Sequence, residues 1–239
     1  MNAQSFEVEA AGLPRRIVAL PVRSPLVQSG DDLAALVADC VRGIVAPPDV
    51  VCVSETVVAI SQGRAILAET IRPSRLARAL ADRAGPYATV SQPESMQLVI
   101  ERVGAWRVLG AAFVGAATRL AGRSGDFYRL VGPAVAEIDG YTGTLPPYER
   151  HIVLGPRKPA KVAQDIGRAC SAHAAIVDAN DMHKVEILGT TDGINASAVR
   201  ACLRHNPHGN ADQQTPIVVL KYRAERNSDV ASPFLQPLC

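Results

Sequence analysis

Between His151 and Tyr222 the chain alternates two kinds of pattern, and this alternation restricts its fold more than any other feature. "HIVLG", "AAIVD", "VEILG" and "TPIVVLKY" are short runs rich in β-branched residues, whereas "PAKVAQDIGRAC" and "INASAVRACLRHN" carry apolar residues at helical spacing. A strand or helix with one apolar face has to bury it against another element, so the pattern calls for helices layered on a sheet. The same grammar opens the chain. "EVEA" and "RRIVALPV" read as strands, and "DDLAALVADCVRGI" reads as a helix with Asp31 and Asp32 at its positive end. Pro47 and Pro48 stop that helix, and "DVVCVSETVVAIS" predicts one buried strand.

The middle of the chain is richer in helix. "PSRLARALADRAG" predicts a helix ending at Gly85, and Pro93 to Gly122 predicts a small-residue-rich helical region interrupted at Gly104 and Gly110. Its apolar stripe "VLGAAFVGAA" reads as helix packing and not as a cofactor pocket. "DFYRLVGPAVAEI" predicts a strand or strand pair broken near Gly132 and Pro133. The expectation is a mixed α/β, α+β fold over residues 1–223, with a break between two subdomains near 90–125 and a loosely ordered tail over 224–239. No fixed-period repeat argues for a solenoid.

Composition excludes several classes of function. A chain of 239 residues that is 48% hydrophobic can bury a real core. Its 25 basic and 23 acidic side chains leave a formal charge of +2, which gives no broad attraction to nucleic acid or to a membrane surface. The five cysteines (Cys40, Cys52, Cys170, Cys202 and Cys239) lack the paired spacing of a zinc or redox motif and read as buried or free thiols. The opening "MNAQSFEVEAAGLPRR" carries acids where a secretory signal has a basic segment, and no apolar run reaches the ~20 residues of a membrane span. A soluble cytoplasmic protein is expected.

Two aspartates fall directly after short apolar runs: Asp139 after "VAEI" and Asp178 after "AAIV". In alternating α/β units the first loop residue after a strand is held rigidly, and ligand chemistry gathers there. Two carboxylates brought together would repel unless a cation lay between them, and Mg²⁺ or Mn²⁺ is the hard ion that oxygen ligands suit. The ordinary alternative is that Asp139 turns the chain with Gly140 and that Asp178 and Asn180 cap a loop.

"SPLVQSGDDLAAL", "VCVSETVVAISQGR", "EIDGYTGTLPP", "IVDAND" and "NPHGNADQQTPIVVL", in this order, resemble the coenzyme F-420-0 γ-glutamyl ligase family over roughly residues 16 to 223. The resemblance implies that family's fold and an amide-forming ligase of small acids and amino acids, using GTP and Mg²⁺ or Mn²⁺ and working as a homodimer. It implies metal ligation by Asp139 and Asp178, with Ala179 supplying a backbone carbonyl where the family has threonine. It also implies nucleotide contacts from Arg23, Ser24, Pro25 and Leu26, from Ser54, Glu55 and Thr56, from Thr142, and from Gly209 in the last loop.

The departures from the family pattern point to a different acid substrate. Tyr141 and Thr142 stand where the family has Ser-Asn, and the last loop holds one glycine against several. Ala59, Ile60, Ser61, Gln62 and Gly63 stand where the family reads Ser-Lys-x-x-Gly. Treated as a phosphate-facing position, Ile60 predicts weak GTP binding that a lysine there would restore. Arg119, Arg123 and Arg129 are candidates for clamping an anionic substrate, or are ordinary solvated surface. His151 and His183 lie near the aspartate segments, although a lone loop histidine is usually solvated or structural. Two other classes remain open: a metal-dependent hydrolase or transferase that uses no nucleotide, and a ligand-binding or regulatory relative.

Overall fold

The computed structural model describes residues 6–8, 16–84, 89–120, 122–123, 125–132, 138–139, 146–180, 183–209 and 214–223. A six-stranded mixed sheet is made of β1 (Phe6–Val8), β2 (Arg16–Val22), β3 (Val50–Ser54), β7 (His173–Ala179), β8 (Val185–Thr190) and β9 (Ile217–Arg223), in the spatial order β1-β2-β9-β3-β7-β8. Among the described strands of this sheet only β3 and β7 run parallel, and every other pair is antiparallel. The apolar run of β3 is explained by its place mid-sheet. Val51 and Val53 enter one core and Val50 and Cys52 the other, so both of its faces are buried.

The first of these cores lies beneath α1 (Leu33–Val41), α2 (Glu55–Ser61) and α7 (Pro159–Cys170), and the other beneath α8 (Ala196–Leu203). Local chemistry starts the helices. The Asp32 carboxylate accepts from the Ala35 N–H at 3.1 Å, and Asn195 Oδ1 accepts from Ser197 and Ala198. The buried Asp49 carboxylate ties the turn before β3 to β9, accepting from Ala46 N–H at 3.0 Å, Tyr222 N–H at 3.1 Å and Lys221 Nζ at 2.7 Å. At Gly189 on β8 an added Cβ would lie 2.3 Å from Ala160 N, so a side chain there would collide with the backbone of α7.

A three-stranded antiparallel sheet, β4 (Ala65–Leu67), β6 (His151–Leu154) and β5 (Ile138–Asp139) in the order β4-β6-β5, lies with α3 (Arg75–Ala81), α4 (Pro93–Val103), α5 (Ala105–Leu120) and α6 (Asp126–Val131). These elements form a third buried cluster that runs from Ala68 to Leu154 in sequence. Residues 90–125, where a subdomain break is expected, supply α4 and α5 to this cluster. The two units are pinned where the chain crosses between them: Arg64 Nε donates to the Gly155 carbonyl at 2.5 Å, and Tyr148 Oη to the Val27 carbonyl at 3.0 Å.

Three expectations need correction. The run expected as one strand through Ser61 stops at Ser54, and residues 55–61 form α2 because Val58, Ala59 and Ile60 reach the core from a helix. Asp126–Val131 is a helix, not a strand; six residues are too few for periodicity to decide. Gly104 does break the helical region, at φ +93°, whereas Gly110 lies inside α5. The tail after Arg223 lies outside the described residues. Cys40, Cys52, Cys170 and Cys202 are free thiols, and burial pushes Cys170 and Cys202 up to about 11. Among the described residues no helix is long and apolar enough to cross a membrane.

Candidate functional site

The parallel pair β3 and β7 ends side by side, with Ser54 paired to Val177. Asp178 and Ala179 therefore continue past the last residue of β3, at the carboxyl edge where α/β sheets bind ligands. Three loops meet at this edge through backbone contacts. Ser54 N–H donates to the Pro216 carbonyl at 2.9 Å and Ser24 N–H to the Gln214 carbonyl at 3.1 Å, while Thr215 Oγ1 donates to the His208 carbonyl at 2.6 Å. The segment Arg23, Ser24, Pro25 and Leu26, the turn Ser54, Glu55 and Thr56, and the loop holding Gly209 are thus joined at one place. Arg23 and Pro25 are exposed, while Ser24 is buried and donates its hydroxyl to the Pro25 carbonyl at 2.8 Å. Gly209 has φ +72°, a left-handed backbone that favours glycine.

Asp178 shares its face of β7 with Ile176, and Glu186 is its register partner on β8. Burial first and the Glu186 charge second raise the Asp178 carboxyl above its ordinary value. Two like charges side by side, one of them half-buried, suit a hard divalent cation, which would offset both effects. Among the described residues no cluster of three or more His, Cys, Asp or Glu side chains closes around a metal. Asp139 ends β5, with its backbone paired to Val153; its side chain, together with Thr142, lies outside the described residues. Ala179 closes β7 opposite Val185.

The three candidate arginines lie in the other unit and do not act as one clamp. Arg129 and Arg123 both turn to Asp126, at 3.0 and 3.5 Å, while Arg119 lines a cavity among α3 to α6. Ile60 also differs from expectation. Its side chain is 4% exposed and belongs to the core under α2, so it faces no phosphate, and a lysine there would be buried. His151 stacks edge-on against Tyr148, and His183 Nδ1 donates to the Arg204 carbonyl at 2.9 Å.

Two residues of this region escape a sequence reading. Glu186 is visible as the outward position between Val185 and Ile187, but the register that sets it beside Asp178 is not. His208 is 8% exposed, neither of its ring nitrogens has a hydrogen-bond partner among the described residues, and burial holds the imidazole down at about 4. The nearby backbone of Thr215 and Pro216 tempers that shift without bonding the ring in good geometry.

A mixed sheet with three loops converging at the carboxyl edge of its parallel pair puts the chain in the mixed α/β class, in which ligand sites gather at that edge. Residues 21–200 match the F420-0:Gamma-glutamyl ligase family, and the chain belongs to that family. A 59-residue stretch is 48% identical to the coenzyme F420:L-glutamate ligase of Natronomonas pharaonis. The match covers 25% of this chain and 22% of that protein, so it spans less than a quarter of the relative's length.

Proposed function

We propose that this protein is a metal- and nucleotide-dependent ligase that forms an amide between a small acid and an amino acid, the acid differing from the F420-0 after which its family is described. The observation that carries this reading is the meeting of three loops with Asp178 at the carboxyl edge of β3 and β7. Asp178, Asp139 and the Ala179 carbonyl would hold Mg²⁺ or Mn²⁺, with Glu186 beside them. Bound there, the ion would offset phosphate charge during phosphoryl transfer from GTP to the acid. Arg23, Ser24, Pro25, Leu26, Ser54, Glu55, Thr56, Thr142 and Gly209 would contact the nucleotide, the exposed Arg23 guanidinium supplying charge. The reading places the protein in the cytoplasm.

Mn²⁺ with GTP is expected to raise the melting temperature, as any ligand selective for the folded state does, and Asp139→Asn and Asp178→Asn should each abolish the rise. An unchanged melting temperature at millimolar Mn²⁺ and GTP counts against the site. A second reading, a metal-dependent hydrolase or transferase without nucleotide, is favoured by the buried Ile60 in place of the family lysine. Metal binding without nucleotide binding, followed by product analysis with and without GTP or ATP, selects it.

The ligase reading also includes a homodimer. Trp106 and Phe113, 87% and 78% exposed and seven residues apart, lie along one face of α5 and support it. A monomeric mass by light scattering at tens of micromolar removes the dimer.

A further inference from the structure

We propose that the cavity among α3, α4, α5 and α6 binds an apolar acid, its carboxylate on Arg119 and its hydrocarbon body inside the helices. The site is separate from the loops at the sheet edge and shares no residue with them.

The cavity has a volume of about 470 Å³, within the usual range of small-molecule sites. Its origin is visible in α5. Ala112, Gly115 and Ala116 recur at i, i+3 and i+4 on one face, where larger side chains would fill the space. Gly115 brings α6 close, since a Cβ there would lie 3.1 Å from Phe127 Cβ. The helices are thus held together at the crossing, and the small side chains beside it leave room. Leu80, Met96 and Phe127 supply the apolar wall.

Charge selects the occupant. Among the described residues the lining carries two guanidinium groups, Arg83 and Arg119, and no carboxylate. Arg83 is engaged, donating to the Ala79 carbonyl at 2.7 Å. The neighbouring acid, Asp126, is taken by Arg123 and Arg129. Among the described residues Arg119 forms no ion pair, and it stands one turn beyond Gly115 and Ala116 on the face that lines the cavity. An apolar chamber with one uncommitted guanidinium at its edge is complementary to a molecule that is apolar at one end and carboxylate at the other.

Calorimetry of the full chain with decanoate, and with decan-1-ol as the uncharged control, tests this. One decanoate per chain is expected to bind. Arg119→Gln should weaken decanoate roughly fivefold to tenfold and leave decan-1-ol unchanged, with Arg119→Lys recovering part of the loss. Ala112→Phe fills the cavity and should remove both ligands; if that variant does not fold, Ala116→Leu is measured in its place. The proposal is overturned by no decanoate binding at millimolar concentration, by equal decanoate affinity in Arg119→Gln, or by full binding in a folded cavity-filling variant. A changed mass by light scattering in that variant, with decanoate affinity kept, gives the cavity to a second copy of the chain and also overturns the proposal.

Discussion

The unit around the six-stranded sheet and the unit around α3 to α6 solve the packing problem differently. In the first, strands buried on both faces leave little slack, and Val51, Cys52, Val53, Ile176 and Val219 have no exposure at all. In the second, strands of two to four residues support helices that keep a cavity inside and leave Trp106, Phe113 and Leu120 in the open. The difference fits the two roles proposed for these units. Chemistry that needs atoms held in place belongs at the edge of the rigid sheet, and adaptable apolar recognition belongs among helices with room to adjust.

The largest effect expected from this contrast comes from Ile60→Lys. If the sheet unit has no slack, an ammonium at this buried position has neither a partner nor water, and the variant should lose roughly 3 kcal/mol or more, read as a lower urea midpoint. Arg119→Lys in the helical unit, at an exposed position, should change the midpoint hardly at all. An Ile60→Lys protein with wild-type stability would show that the side chain reaches solvent, and would reopen position 60 as a phosphate contact.

A pair of glycines sharpens the same contrast. Gly189→Ala places a methyl group against the backbone of Pro159 and Ala160 and should cost about 1–3 kcal/mol, because backbone on both sides has to move. Gly110 lies inside α5 with nothing within 4 Å of its would-be Cβ, so Gly110→Ala should stabilise by about 0.5–1 kcal/mol through helix propensity alone. Thermal unfolding of the two variants gives the signs. Equal signs would end the claim that the units differ in slack.

Legibility in the sequence follows the same division. The sheet unit was readable because long, strongly patterned segments fix their own type: α7 occupies Pro159–Cys170 as its spacing predicts, and β7 and β9 follow from their β-branched runs. The misreadings fell on short apolar segments. Residues 55–61 and 126–131 are helical because of what they bury, and burial is set by partners far away in sequence. At the candidate site, the loops that meet were legible through the family resemblance. The pairing of Asp178 with Glu186, and the inward turn of Ile60, depend on register and helix phase that no local pattern records.

His208 gives the most selective effect, since it is absent at neutral pH and appears only on acidification. Burial depresses its folded pKa to about 4, whereas an unfolded histidine titrates near 6.5, so between these values the unfolded chain binds the extra proton. Stability from the neutral imidazole is complete above the unfolded value and is lost as pH falls toward the folded one. The loss should stay below about 1 kcal/mol at pH 6 and reach about 2 kcal/mol by pH 5. His208→Phe keeps a ring in the space and removes the titration, so the gap between wild type and variant should shift in the variant's favour on acidification. Because His208 lies in the loop joined to Ser24 and Ser54, acid should also raise hydrogen exchange at the sheet edge before it does so in α4 and α5. A constant gap from pH 7 to pH 5 would mean that the imidazole is reached by water in the folded protein. Uniform exchange across both units would mean that they unfold as one, and the contrast between them would then be one of packing without consequence for local stability.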